Sequence, residues 1–184
     1  MDTFDLVITL LSFIYAMAIA QLLQGVTDLL LARKRVRFSL AYVLWASLAL
    51  LIMLGNWLAL FVLRTTEWSV QLILLEFLLA ATIYFSCSLL VPPKSEDGSI
   101  DLVAFVRGNG WLFKAPYYPM VTLVLAIQLS FTEYRGGFAN PLVYAEILLT
   151  PVLVGISIWR SERWIQIAAP ALLIAYFATQ LWIG

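Results

Sequence analysis

Residues 6–63 read LVITLLSFIYAMAIAQLLQGVTDLLL (6–31), ARKRVR (32–37) and FSLAYVLWASLALLIMLGNWLALFVL (38–63). Two long apolar runs therefore flank a short loop that carries four basic side chains. The hydrocarbon core of a bilayer is about 30 Å thick, and a helix crosses it with about 20 apolar residues. Backbone polar groups cannot remain unpaired in lipid, so each run is predicted to be a transmembrane helix.

The rest of the chain repeats this pattern of apolar runs separated by short polar segments. Of its 184 residues 63% are hydrophobic and 12% charged, whereas soluble domains average about 45–50% apolar and about 25% charged residues. The runs do not alternate between apolar and polar residues, as the strands of a membrane barrel would. We predict an all-α, polytopic membrane protein, with residues 1–184 in a single domain and six spans at 6–31, 38–63, 70–91, 117–134, 141–159 and 164–182.

The basic residues predict how this domain is oriented. Alternate threading of six spans places nine of the eleven Lys and Arg residues on one side: Arg33, Lys34, Arg35, Arg37, Lys94, Arg107, Lys114, Arg160 and Arg163. The other side has only Arg64 and Arg135. Because cytoplasmic loops are enriched in basic residues, the pattern predicts that both termini lie outside. The compact loops and strong charge bias favour a bacterial inner (plasma) membrane.

Residues 92–116 form the longest polar segment, between the third and fourth predicted spans. Pro92 and Pro93 end the third helix, and the apolar residues from Ile100 to Val106 are interrupted by Asp101. This pattern predicts a short amphipathic helix on the cytoplasmic membrane surface. The helix either simply connects spans three and four or serves as a gate or docking site.

Some chemistry is excluded by composition. The chain has no histidine and one cysteine, Cys87, which excludes a histidine-ligated haem, an intrachain disulfide and a Cys/His metal cluster. Lys34, Lys94 and Lys114 lie outside the apolar runs, so no span offers a lysine for a retinal Schiff base. We therefore predict no metal, no cofactor and no catalytic residue. The formal net charge of zero gives no indication of a nucleic-acid partner.

Five polar side chains lie at roughly one depth in the outer half of five different predicted spans: Asn56, Glu76, Gln128, Glu146 and Gln180. An ionisable residue within a span costs several kcal/mol unless it faces protein or water. Glu76 and Glu146 therefore indicate a functional site. We predict a polar, two-carboxylate ligand site, open to the outer side, that binds a proton, a cation or a small amine. Alternatively, Glu76 and Glu146 reach water or form structural bonds between helices.

A second polar stripe follows one face of the first span. Residues at four-residue intervals share a helix face, and here they are Ser12, Ala16, Ala20, Gln24 and Asp28, with Gln21 beside them. Small residues permit close helix packing. The stripe is either a packing surface, with Asp28 paired to the basic loop, or a polar half-channel or lipid-headgroup site built on Gln21, Gln24 and Asp28.

Three classes of function follow from these patterns. The first is a small transporter or channel that uses the two-carboxylate site. The second is a structural or accessory subunit, since a short chain with little extramembrane mass suits either a homo-oligomer or a complex with a partner membrane subunit. The third is a lipid-handling enzyme that uses Asp28 and the nearby arginines. The sequence favours a non-enzymatic function, because no nucleophile has an evident base.

Overall fold

The computed structural model describes residues 3–65, 67–93, 99–130 and 141–183. Within these ranges the side chains of residues 62, 65, 141–147 and 180–183 are not described.

The described chain is helical apart from one very short strand pair, which confirms the predicted all-α class. The helices are α1 (Thr3–Leu31), α2 (Leu40–Val62), α3 (Val70–Leu89), α4 (Leu102–Gly108), α5 (Gly110–Lys114), α6 (Tyr117–Ser130), α7 (Pro141–Trp159) and α8 (Arg163–Ile183). The strands β1 (Val36–Arg37) and β2 (Ile100–Asp101) pair in parallel, Val36 opposite Ile100 and Arg37 opposite Asp101. This pairing ties the basic loop after α1 to the segment before α4.

Four helical segments are long and apolar enough to cross a membrane: Thr3–Leu31, Leu40–Phe61, Val70–Leu89 and Gly110–Ser130. Two shorter apolar stretches, Leu148–Trp159 and Arg163–Thr179, lie in the described parts of α7 and α8. The fourth apolar segment begins at Gly110 rather than at the predicted Tyr117, because only the turn at residues 115–116 separates α5 from α6. Four of the predicted spans thus have a helix of adequate length, and the count of six remains a prediction.

Local hydrogen bonds explain where three helices begin. The hydroxyl of Ser39 accepts the Tyr42 N–H at the start of α2, and that of Ser69 accepts the Leu72 N–H at the start of α3. At α4 the carboxylate of Asp101 accepts two backbone N–H groups, from Val103 and Ala104. Each side chain satisfies donors that have no acceptor within the helix.

Five helices form a closed ring in which each contacts the next: α2, α3, α6, α7 and α8. The helix α1 packs outside this ring, chiefly against α3. Phe4 contacts Trp68 near one end of this pair, and Gly25 lies against Val91 near the other. These two contacts show that α1 and α3 run in the same direction, as alternate threading of the first three spans requires.

Aromatic side chains fill the interior of the ring. Trp45 of α2 is fully buried, and its ring meets those of Phe113 and Tyr117 edge to face at centroid distances of 6.0 and 5.6 Å. The outer surface carries many exposed large apolar side chains, such as Phe13 and Leu23 on α1. A surface of this kind is well solvated by lipid but forms sticky patches in water, consistent with a membrane protein.

Candidate functional site

The predicted site residue Glu76 is buried on α3, the helix that packs against α1. The residue is only 5% exposed. Among the described residues none forms a hydrogen bond or ion pair with its carboxylate. The Tyr15 hydroxyl of α1 lies within electrostatic range of Glu76, and it is buried without a hydrogen-bond partner. A buried carboxylate and a buried hydroxyl thus lie within electrostatic range of each other, and neither has a hydrogen-bond partner among the described residues.

Asn56 lies elsewhere, beside a small cavity at the centre of the helix ring. Its amide Nδ2 donates to the Ile52 carbonyl of its own helix at 2.9 Å. The cavity measures about 40 Å³ and is lined by side chains from all five ring helices, including Thr150 of α7. The Thr150 hydroxyl has no hydrogen-bond partner. A water molecule needs about 10–15 Å³ of such space and polar partners, so this cavity suits water.

The predicted five-residue site is only partly described. Gln128 is partly buried on α6, and its Oε1 has no hydrogen-bond partner. Neither Gln128 nor Glu76 lines the cavity beside Asn56, so these three residues do not meet there. The side chains of Glu146 and Gln180 lie outside the described residues. The convergence of all five residues therefore remains a prediction.

The second polar stripe lies mostly on the outside of the bundle. Near the N-terminal end of α1, the Ser12 hydroxyl accepts the Trp57 Nε1–H of α2 at 3.2 Å. Gln24 donates to the Asp28 carboxylate at 3.4 Å within the same helix. Ala16, Ala20, Gln21 and Gln24 are exposed, whereas Asp28 is half-buried. The exposed part of the stripe is therefore not buried between the described helices, and the pairing of Asp28 with the basic loop remains a prediction.

The structure also shows a cavity that the sequence did not predict. It measures about 440 Å³ at the end of the bundle where α2 and α8 begin. Three arginines from three separate segments line it, Arg37, Arg107 and Arg163, together with Ser39, Ser161 and Gln166. We call it the basic cavity. These arginines were all predicted to lie on one side of the membrane, and the structure brings them together.

A buried lysine lies beside the basic cavity. Lys114 is 1% exposed, and its Nζ donates to the Ser157 carbonyl at 3.1 Å and to Gln166 Oε1 at 2.5 Å. The same atom lies 5.1 Å from the centre of the Trp45 ring, within the range of a cation–π interaction. None of the described carboxylates is paired with it. Its charge is thus held by neutral groups alone.

Gln166 connects the lysine to the turn between α7 and α8. Its Nε2 donates to the Ser157 carbonyl at 2.5 Å and to the Arg160 carbonyl at 2.7 Å. Carbonyls at a helix C-terminus lack donors within the helix and carry partial negative charge. Gln166 and Lys114 together therefore cap the end of α7, and Gln166 also lines the basic cavity.

One of the arginines that line the basic cavity forms an ion pair. Arg37 Nη1 lies 3.2 Å from Asp101 Oδ2, at the β1–β2 pairing. The Ala104 N–H, followed by the Arg37 side chain, holds the pKa of Asp101 below its usual value. The carboxylate thus remains ionised as it caps α4 and orients Arg37.

Sequence reasoning missed this arrangement because it placed Lys114 outside the spans, in the cytoplasmic segment 92–116. One signal was available, since Lys114 follows Trp111-Leu112-Phe113 and precedes Tyr117-Tyr118, and a cation within an aromatic segment indicates burial with cation–π contacts. Comparison of the chain with known protein families, characterised proteins and solved structures finds no match.

Proposed function

We propose that the protein is a small membrane transporter or channel that moves a proton or a small cation through a site built on Glu76. The observation that supports this function is the buried carboxylate of Glu76, which has no partner among the described residues. An ionised side chain inside a membrane span costs several kcal/mol unless it faces protein partners or water. Taking up a proton or a cation removes that cost, so the residue is suited to bind one transiently.

The surroundings of Glu76 favour a small ligand. Tyr15 offers a hydroxyl oxygen within electrostatic range of the carboxylate, and both groups have unused hydrogen-bonding capacity. Oxygen atoms are the preferred ligands of protons and hard cations. We include Glu146, with Gln128 and Gln180, in the proposed pathway on the sequence pattern alone.

We further propose six membrane crossings with both termini outside. The helices α7 and α8 have 19 and 21 residues, and about 20 residues span the hydrocarbon core. Arg37, Arg107 and Arg163 meet at one end of the bundle, as expected if this end faces the cytoplasm. In this arrangement α4 and α5 lie at the cytoplasmic interface, in a bacterial inner membrane.

Purified protein in liposomes is expected to carry a proton or alkali-cation flux, read by an internal pH dye or a cation-selective dye. The Glu76→Gln variant removes the ionisable group at nearly constant volume, and we expect its flux to fall at least tenfold. Glu67→Gln is the matched control, because Glu67 is an exposed carboxylate just before α3. Full flux in Glu76→Gln, with intact helical circular dichroism, would remove Glu76 from the mechanism.

One observation favours the second function, an accessory subunit. The small and polar face of α1 at Ala16, Ala20 and Gln24 is exposed. In lipid, small residues and glutamines promote contact with another helix, so this face suits a transmembrane partner or a second copy. We expect Ala16→Trp to abolish co-migration with that partner in mild detergent. Met17→Trp, about 100° around the helix, is expected to leave it intact; equal behaviour of the two variants would exclude this face.

A further inference from the structure

We propose that the basic cavity is a binding site for a phosphate group, carried either by the headgroup of an anionic phospholipid or by a free phosphate compound. The inference does not depend on the transport function, because the cavity lies at the end of the bundle where α2 and α8 begin, whereas Glu76 lies on α3 and does not line the cavity.

The charge in the cavity is the first argument. Its described lining contains three arginines and no carboxylate. Arg37 is already paired with Asp101. In contrast, no described carboxylate lies within ion-pair distance of Arg107 or Arg163. Two guanidinium groups are thus available, and their planar array of donors matches the oxygens of a phosphate.

The helix ends that border the cavity add to its positive potential. Ser39, Leu40 and Ala41, at the start of α2, line it, as does Arg163, the first residue of α8. The first backbone N–H groups of a helix lack acceptors within the helix and carry partial positive charge. Both N-termini supplement the arginines here and favour an anion.

Lys114 supplies a further positive charge behind the cavity wall. Its ammonium is bonded only to neutral acceptors, and one of these, Gln166, lines the cavity. A buried cation without a counter-ion is costly, and an anion in the adjacent cavity would offset that cost. The Lys114 amine and the two arginines therefore favour the same ligand charge.

The size and position of the cavity fit a phosphate ester. Its volume of about 440 Å³ falls within the range of about 300–1,000 Å³ typical of ligand pockets. The apolar side chains of Phe38, Leu40 and Ile167 also line it and would contact the non-phosphate part of the ligand. Basic pockets between helices at the cytoplasmic interface bind anionic lipid headgroups, so an ester is a better fit than bare phosphate.

Two probes test the proposal and distinguish a phospholipid headgroup from a free phosphate compound. The first is inorganic phosphate, titrated against the protein in a phosphate-free detergent with thermal unfolding as the readout. The second is phosphatidylglycerol, counted as bound adducts by native mass spectrometry, with zwitterionic phosphatidylcholine for comparison. Saturable binding of phosphate indicates a free phosphate compound, whereas selective retention of phosphatidylglycerol alone indicates a lipid.

The variant Arg107→Gln/Arg163→Gln is expected to weaken binding of the active probe at least tenfold, because it removes both free guanidinium groups. Arg33→Gln/Lys34→Gln removes the same charge from residues outside the basic cavity and is expected to keep most of the affinity. Both Arg107 and Arg163 are exposed, so the first variant should fold, which its unliganded melting temperature verifies. Equal loss in both variants, or binding of neither probe to the unmodified protein, would overturn the proposal.

Discussion

Replacing Trp45 with alanine is expected to lower the free energy of unfolding by about 3–5 kcal/mol, the usual cost of removing a large buried aromatic. Trp45 has no exposed surface and contacts Phe113 and Tyr117. Lipid can fill a gap on the outer surface of a bundle, but it cannot enter one enclosed by other helices. The lost dispersion contacts therefore remain unreplaced.

Denaturant unfolding in detergent micelles, followed by circular dichroism, measures this loss. Trp164→Ala is the matched control, since Trp164 is 69% exposed, and its effect is expected to stay below about 1 kcal/mol. The substitution Trp45→Phe should give an intermediate value because it keeps part of the ring. Similar stabilities for Trp45→Ala and Trp164→Ala would show that Trp45 is not enclosed.

Gln166→Leu is expected to cost about 3 kcal/mol or more, because each buried polar group left unsatisfied costs about 1–3 kcal/mol and a charged group costs more. The substitution removes an acceptor from the Lys114 ammonium. It also removes the donor that Ser157 and Arg160 share at the end of α7. Leucine has a similar volume, so the loss comes from unsatisfied groups rather than from a cavity.

A double-mutant cycle distinguishes the loss of hydrogen bonds in Gln166→Leu from a general packing defect. We expect Lys114→Met to relieve part of the damage in Gln166→Leu, so that the double variant is more stable than the sum of the two single changes predicts. The same unfolding assay supplies all four stabilities. Simple additivity would show that the two side chains act independently, contrary to the bond between them.

Much of the architecture follows from local sequence. Runs such as 6–31 and 38–63 are too long and too apolar for any structure but a lipid-exposed or buried helix, because the backbone must satisfy its own hydrogen bonds there. The helix starts at Ser39 and Ser69 follow from their hydroxyl groups. The helical runs and these helix starts can both be predicted from residues close together in the sequence.

For the basic residues, the sequence predicted the side of the membrane but not their arrangement around a cavity. Their spacing along the chain predicted that Arg37, Arg107 and Arg163 share one side of the membrane, and these arginines line one cavity. That they enclose a volume, rather than lie scattered over a surface, depends on the packing of α4 and α8 against α2 and on the contact of β1 with α4. The sequence contains no local signal for that packing.

The faces of the helices were decided by tertiary structure alone. In a soluble helix the apolar stripe marks the inward face, but membrane spans carry apolar residues on every side, since lipid accepts apolar groups as readily as the core does. Sequence therefore could not show that Ala16 and Gln24 face outward while Glu76 is buried, nor that Lys114 enters the core to meet Gln166. Such contacts form between residues far apart in the chain. Which residues meet depends on the volumes and charges of side chains that only the folded chain brings together.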